Sequence, residues 1–270
     1  MRKAESMHKI IFMGSFARSG ETLLLRCLHA HPALHVVHQI NETDRPEDLA
    51  LFQFLTTYPH TSIAHDHPLI QRAGIAPGKI LVVKYAVWTH AYPFYGFVLA
   101  RNPFSVAKSL VAYSTARAES TAMQQSRLTR WAQGIDPALT PAVQQLPCID
   151  STAMLYNRKM LPLAESGMPV LRYEDLARDP HTSLRWLLKQ LGLPWDNAVE
   201  QSHTTYPEGQ YGHGGIALWK PIHAETTPAC GDMPAADIAR IQGYAWPSMA
   251  RLGYRVHNGV LEVLPYLDCI

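Results

Sequence analysis

One stretch of this 270-residue chain constrains the rest: Lys9-Ile10-Ile11-Phe12-Met13-Gly14-Ser15-Phe16-Ala17-Arg18-Ser19-Gly20-Glu21-Thr22-Leu23-Leu24-Leu25. Ile10 to Met13 is a short unbroken apolar run, the pattern of a strand buried on both faces, and Gly14 ends it where the backbone must turn. After the loop the period changes. Leu24, Leu25, Cys27 and Leu28 share one broad helical face, which stops at His31-Pro32 because proline disfavours helical geometry in the residue before it. A loop between such a strand and helix leaves several backbone N–H groups unpaired at the positive end of a helix dipole, a ready anion site.

The residues at the helix start narrow the choice of anion. A nucleotide-triphosphatase loop has Gly, four residues, then Gly-Lys-Ser/Thr, with the lysine reaching the β- and γ-phosphates. Here five residues separate Gly14 from Gly20-Glu21-Thr22, so a carboxylate stands in the lysine position and would repel a triphosphate. The cation sits earlier, at Arg18. A second strand, turn and helix follow from Phe94 to Leu110, with Asn102-Pro103 as cap and first-turn proline. Arg101 ends that strand, and Ser109 lies eight residues on, about two helical turns.

The remaining pattern alternates strands and helices. Ala33 to His38 and Lys79 to Lys84 read as strands, the latter with a cation at its C-terminal end. Glu47 to Thr57 reads as a helix, and Thr61 to Pro68 as a His-rich loop. Tyr113 to Gln145 predicts a partly exposed helical cover with a loop at Asp136 to Pro147, followed by a helix from Ser151 to Ser166. Val170 to Leu176 predicts a strand running into a cap. Asp179-Pro180 opens a helix to Leu191 that Gly192 closes, and Ala235 to Leu252 is a last helix.

Composition sets the class. Apolar residues make up 47% and charged residues 17%, with a net charge of +2 and no Lys/Arg run, so nothing points to nucleic acid. No segment reaches the roughly 18 apolar residues of a membrane span. Cys27, Cys148, Cys230 and Cys269 lack metal spacing and predict free thiols in a reducing, cytoplasmic setting. His65 and His67 have no third ligand nearby. Among Phe52, Phe54, Tyr58, Trp88 and Trp131, some could line an acceptor site, core packing being the commoner role for any one.

Four anchors in order carry a family resemblance: Arg18-Ser19-Gly20-Glu21-Thr22 with its His31-Pro32 ending, Arg101-Asn102-Pro103 with Ser109, Tyr173-Glu174-Asp175-Leu176 with Asp179-Pro180 and Leu191-Gly192-Leu193-Pro194, and Gly212 to Lys220 before Met249 to Tyr254. Together they resemble the sulfotransferases that use 3′-phosphoadenosine 5′-phosphosulfate, most nearly the bacterial relatives of the carbohydrate and tyrosylprotein branches. The resemblance implies a three-layer α/β P-loop fold like that of nucleotide kinases, over a single domain 1–270. Segments 43–77 and 113–147 match nothing in the family and are expected to face the acceptor.

By the same resemblance, Arg18, Ser19, Gly20, Glu21 and Thr22 hold the 5′-phosphosulfate, Arg101 and Ser109 bind the 3′-phosphate, and Tyr173 contacts adenine. His213 and Gly214 fall in a loop that closes over the 3′-phosphate, where relatives carry Arg-Lys-Gly. Arg18 and Lys84 are the expected catalytic cations. The family glutamate that takes the acceptor's proton falls on Gln39, which cannot, so His38 is the candidate base, with Glu42, His65 and His67 open beside it. The implied acceptor is a hydroxyl or amine of a small metabolite, glycan or lipid, and the reaction calls for no metal. A P-loop kinase, or a protein that binds the nucleotide without transfer, are the alternatives.

Overall fold

Ile10, Ile11, Phe12 and Met13 are each at most 1% exposed, because the strand they form lies at the centre of a sheet covered on both sides. The structure is a computed structural model that describes residues 7–37, 40, 45–57, 61–84, 95–223 and 230–265. Its strands are β1 (Met7–Ser15), β2 (Leu34–Val36), β3 (Ser62–Ala64), β4 (Ile80–Lys84), β5 (Gly96–Ala100) and β6 (Val170–Arg172), with two hairpins, β7 (Tyr211–Gly212) with β8 (Ile216–Ala217) and β9 (Tyr254–His257) with β10 (Val260–Val263). The helices are α1 (Glu21–Ala30), α2 (Pro46–Thr57), α3 (Pro68–Ala73), α4 (Pro103–Ala116), α5 (Thr121–Ile135), α6 (Thr140–Gln145), α7 (Cys148–Ala164), α8 (Tyr173–Arg178), α9 (Pro180–Gln190) and α10 (Ala235–Arg251).

The main sheet runs β2-β4-β1-β5-β6, every one of these pairings parallel. Side chains that alternate along each strand feed opposite layers. Phe97 and Leu99 pack with Leu24, Leu25 and Leu28 of α1 and Leu184, Leu187 and Leu188 of α9. Val98 and Ala100 pack with Leu110 of α4, Leu128 of α5, Tyr156 of α7 and Met249 of α10. The result is the expected three-layer α/β P-loop architecture, with the strand C-termini, and so the loops after them, along one edge.

Several predicted details differ. Thr61 to Pro68 is not all loop: Ser62, Ile63 and Ala64 pair antiparallel with Lys9, His8 and Met7, and Ile63 turns inward at 5% exposure. Asp136 to Pro147 is a short 3₁₀ turn and then α6, with Pro137 and Pro141 in first-turn positions where a missing N–H costs nothing. α5 is partly exposed, as expected, and its inner face buries Leu128, Trp131, Ala132 and Ile135 in the core. Phe52 is buried in the core beside Leu51 and Leu55, whereas Tyr58 and Trp88 lie outside the described residues. β6 stops at Arg172, and Tyr173 begins α8. The β9–β10 hairpin turns through Asn258 and Gly259, both at positive φ.

His35 on β2 meets His29 of α1 with ring centroids 5.5 Å apart, and its Nε2 is buried without a partner among the described residues. Burial first, and the neighbouring His29 second, lower its pKa to about 4. The unfolded chain would take up this proton near pH 6.5, so the stability present above that pH is lost as pH falls toward 4. Urea unfolding at pH 7.5 and 4.5 should show that His35→Gln loses about 2 kcal/mol less over this interval than the unaltered chain.

Candidate functional site

The loop between β1 and α1 is held in an unusual shape. Arg18 adopts φ 68 and Gly20 φ 94, both left-handed, and no side chain caps α1. A Cβ on Gly20 would come within 2.3 Å of the Tyr173 ring, so the ring lies directly against the loop. The first N–H groups of α1 are therefore left for an anion. Ser19 Oγ is buried there without a hydrogen-bond partner among the described residues.

Arg101 at the end of β5 fixes this loop by donating from Nη1 to the Arg18 carbonyl at 2.8 Å. Its guanidinium also lies 4.4 Å from the centroid of the Tyr173 ring. The strand end itself is tied from behind. Tyr156 donates to the Arg101 carbonyl at 2.7 Å, and Glu174 Oε1 accepts from both the backbone N–H and the side-chain amide of Asn102, at 2.9 and 2.6 Å. Asn102 Oδ1 caps α4 by accepting from Ser105 N–H at 2.8 Å.

The Arg18 side chain runs toward α4, where Nε donates to Ser109 Oγ at 3.0 Å. The two-turn interval from Arg101 to Ser109 thus brings both residues to one place, as the spacing predicted. Gly214, at φ 77, lies so close that a Cβ would sit 2.4 Å from Arg18 Nη1. The hairpin carrying it is bonded to α1, Thr22 Oγ1 donating to the His213 carbonyl at 3.1 Å.

Glu21 is 7% exposed and accounts for its own charge. Lys84 Nζ lies 3.4 Å from Oε1, and Ser15 Oγ donates to the same oxygen at 3.4 Å. Lys159 of α7, 2% exposed, is close enough to feel both: burial, then the charge of Lys84, push its pKa well below the usual lysine range, while Glu21 opposes this. The carboxylate in the lysine position is therefore compensated by lysine from a neighbouring strand, and it also favours the positive end of α1.

One cavity of about 290 Å³ collects these groups. Arg18, Gly20, Glu21 and Thr22 border it from the loop, Lys84 and Arg101 from strand ends, and Ser109, Tyr173 and His213 from the elements above. Of the proposed bases, His65 bonds to His8 Nε2 at 3.0 Å and His67 caps α3, and neither borders the cavity. His38, Gln39 and Glu42 lie outside the described residues.

Sequence reasoning passed over Arg26. It is 1% exposed and donates through Nε to Ser202 Oγ at 3.1 Å and through Nη1 to the carbonyls of Leu218 and Lys220 at 2.7 and 2.9 Å. These bonds latch the chain after β8 to α1. Its signal was an arginine on the otherwise apolar face of Leu24, Leu25, Cys27 and Leu28.

Fold and site define an α/β protein of the P-loop class, with a loop after its central strand that leads into an uncapped helix start. No protein-family description matches the chain. Protein-tyrosine sulfotransferase 1 of Danio rerio is 24% identical over 267 residues, 92% of this chain and 73% of that protein. Among solved structures, mouse sulfotransferase SULT7A1 complexed with PAP is similar with a TM-score of 0.48 and 12% identity, covering 89% of this chain and 84% of that one. The sulfotransferase domain from the curacin biosynthetic pathway gives 0.46 and 16%, over 87% and 96%. Over 92% of its length the chain is thus similar in sequence to a sulfotransferase.

Removing the Arg26 latch should loosen the hairpin without unfolding the sheet. Arg26→Gln should raise hydrogen exchange of amides in 211–220 by roughly tenfold or more, in keeping with the loss of charge-assisted bonds. Exchange in β1 and β5 should stay slow, as mass spectrometry of the labelled chain would show.

Proposed function

We propose that this protein transfers a sulfuryl group from 3′-phosphoadenosine 5′-phosphosulfate to a hydroxyl or amine, releasing adenosine 3′,5′-bisphosphate. One observation carries the reading: the uncapped start of α1 and the hydrogen-bonded series Arg101, Arg18, Ser109 border the same cavity. That gives two anion-binding points on one site, as a 3′,5′-bisphosphate requires. The residues present fit the nucleotide, since the unpartnered Ser19 Oγ and the side-chain-free Gly20 leave donors and room at the loop.

In this reading the N–H groups of Gly20 to Thr22 hold the 5′-phosphate, and Arg101 and Ser109 hold the 3′-phosphate. Tyr173, stacked on Arg101, offers a flat face to adenine. The bond from sulfur to the phosphate oxygen breaks as sulfur bonds to the acceptor oxygen or nitrogen, which gives up its proton. Charge builds on the leaving phosphate, so fixed cations there lower the barrier. Because Ser109 engages the Arg18 side chain, we assign Arg18 to the 3′ end and give the transfer point to Lys84, which Glu21 holds at the cavity wall. His38 is our proposed proton acceptor on its chemistry, an imidazole with a pKa near about 6.5 in water.

His213 and Gly214 are proposed to cover the nucleotide as the hairpin closes. Small metabolites, glycans and lipids are the proposed acceptors. Protein tyrosine, taken from the name of the zebrafish relative, joins them in the screen. No helix among the described residues is long and apolar enough to cross a membrane, and we propose a cytoplasmic enzyme of one domain.

Calorimetric titration should show clear preference for adenosine 3′,5′-bisphosphate over adenosine 5′-monophosphate and magnesium-ATP. Tighter binding of magnesium-ATP would move the chain to the kinases. Arg101→Ala should weaken the bisphosphate by about 2–3 kcal/mol, the scale of charge-assisted hydrogen bonds. Unchanged affinity would sink the 3′-phosphate assignment. Lys84→Met should lower kcat by roughly a hundredfold with bisphosphate affinity little changed, as in loss of a transition-state contact.

A further inference from the structure

The helix α5 was expected to face the acceptor, yet one of its arginines reaches the nucleotide end of the cavity. Arg127 borders the same space as Arg101, Ser109 and Tyr113. Tyr113 stands one turn after Ser109 on α4, so the two share a face. Three guanidinium groups surround its ring, Arg117 at 4.0 Å, Arg18 at 5.2 Å and Arg127 at 5.6 Å from the centroid. Like charges this close repel one another, and more strongly away from bulk water.

Compensation inside the protein is incomplete. Glu119 pairs with Arg127 Nη1, and Ser114 Oγ accepts from Nη2 at 3.0 Å. The Nε is buried without a partner among the described residues. A guanidinium offers five N–H donors, so more remain than these two neighbours use. The hairpin over the loop brings Gly212, His213 and Gly214, none of them a permanent cation. An anion with two charges at the Ser109 end would relieve the repulsion and occupy the spare donors.

We infer that Arg127 is a further binding residue for the nucleotide's 3′-phosphate, contributed by α5 and making the site selective for a 3′,5′-bisphosphate over a 5′-monophosphate. The inference rests on the sulfotransferase reading above and adds a ligand from a segment that the family anchors do not include.

Two substitutions of one ion pair separate this role from a structural one. Arg127→Gln removes the cation, whereas Glu119→Gln removes only its internal competitor. Calorimetry with adenosine 3′,5′-bisphosphate and adenosine 5′-monophosphate should give at least tenfold weaker bisphosphate binding for Arg127→Gln, with monophosphate binding within twofold. Glu119→Gln should bind the bisphosphate as tightly as the unaltered chain or more tightly. Arg127→Lys, which keeps the charge and most of the packing, should fall between and serves in place of Arg127→Gln should that variant fail to fold. The inference is overturned if the arginine substitutions leave bisphosphate affinity unchanged, or if both ion-pair partners weaken both nucleotides alike. Failure of the unaltered chain to prefer the bisphosphate would instead overturn the sulfotransferase reading, and this inference with it.

Discussion

The hydrogen bond from Arg101 to the Arg18 carbonyl is the contact on which the site depends. A residue other than glycine at φ 68 costs on the order of 1 kcal/mol, so the loop needs an outside hold to keep its N–H groups aligned. That hold has its own support. Tyr254 of the terminal hairpin donates to Glu174 Oε2 at 2.7 Å, Glu174 fixes Asn102, and Asn102 sets the start of α4 next to Arg101. Elements more than 230 positions apart thus converge on one turn of backbone. Arg172 extends the same support by donating to the carbonyl of Leu264 at 2.6 Å.

Charge in the cavity is sorted by position. Beside the loop, Glu21 sits with Lys84 and the buried Lys159, so cation and carboxylate offset one another. At the Ser109 end, guanidinium groups gather around Tyr113, and Glu119 pairs with one of them, Arg127. Burial and the charge of Arg101 accordingly draw the Arg18 pKa below its ordinary value, against the pull of Glu21. The two ends differ in what they can do: one can position a reacting group without excess charge, the other attracts anions.

Much of this was legible in the residues. Buried parallel strands announce themselves as apolar runs, and Asn102-Pro103 and Asp179-Pro180 cap helices in the structure as their chemistry demands, Asp179 Oδ1 accepting from Thr182 N–H at 3.0 Å. The interval from Arg101 to Ser109 survived because helix pitch converts spacing into position. What failed has physical reasons. Asp136 to Pro147 was read as a loop although its prolines, Pro137 and Pro141, can also start helices, and β3 is too short for its alternation to stand out. Asn258-Gly259 is a hairpin signal that lies beyond the last expected helix, Ala235 to Leu252, and went unread. Glu21 was weighed only as facing or avoiding a phosphate, because a lysine from 63 residues away cannot be seen in local pattern.

The latch between α1 and the hairpin is made almost wholly to main-chain oxygens: Thr22 reaches the carbonyl of His213, and Arg26 those of Leu218 and Lys220. A contact of this kind does not depend on which side chains the hairpin carries. His213, Ile216 and Lys220, which border the cavity, can therefore change in the course of evolution while the latch to α1 is kept. The lining of the cavity and the attachment of the hairpin are in this sense inherited separately, the first written in side chains and the second in backbone.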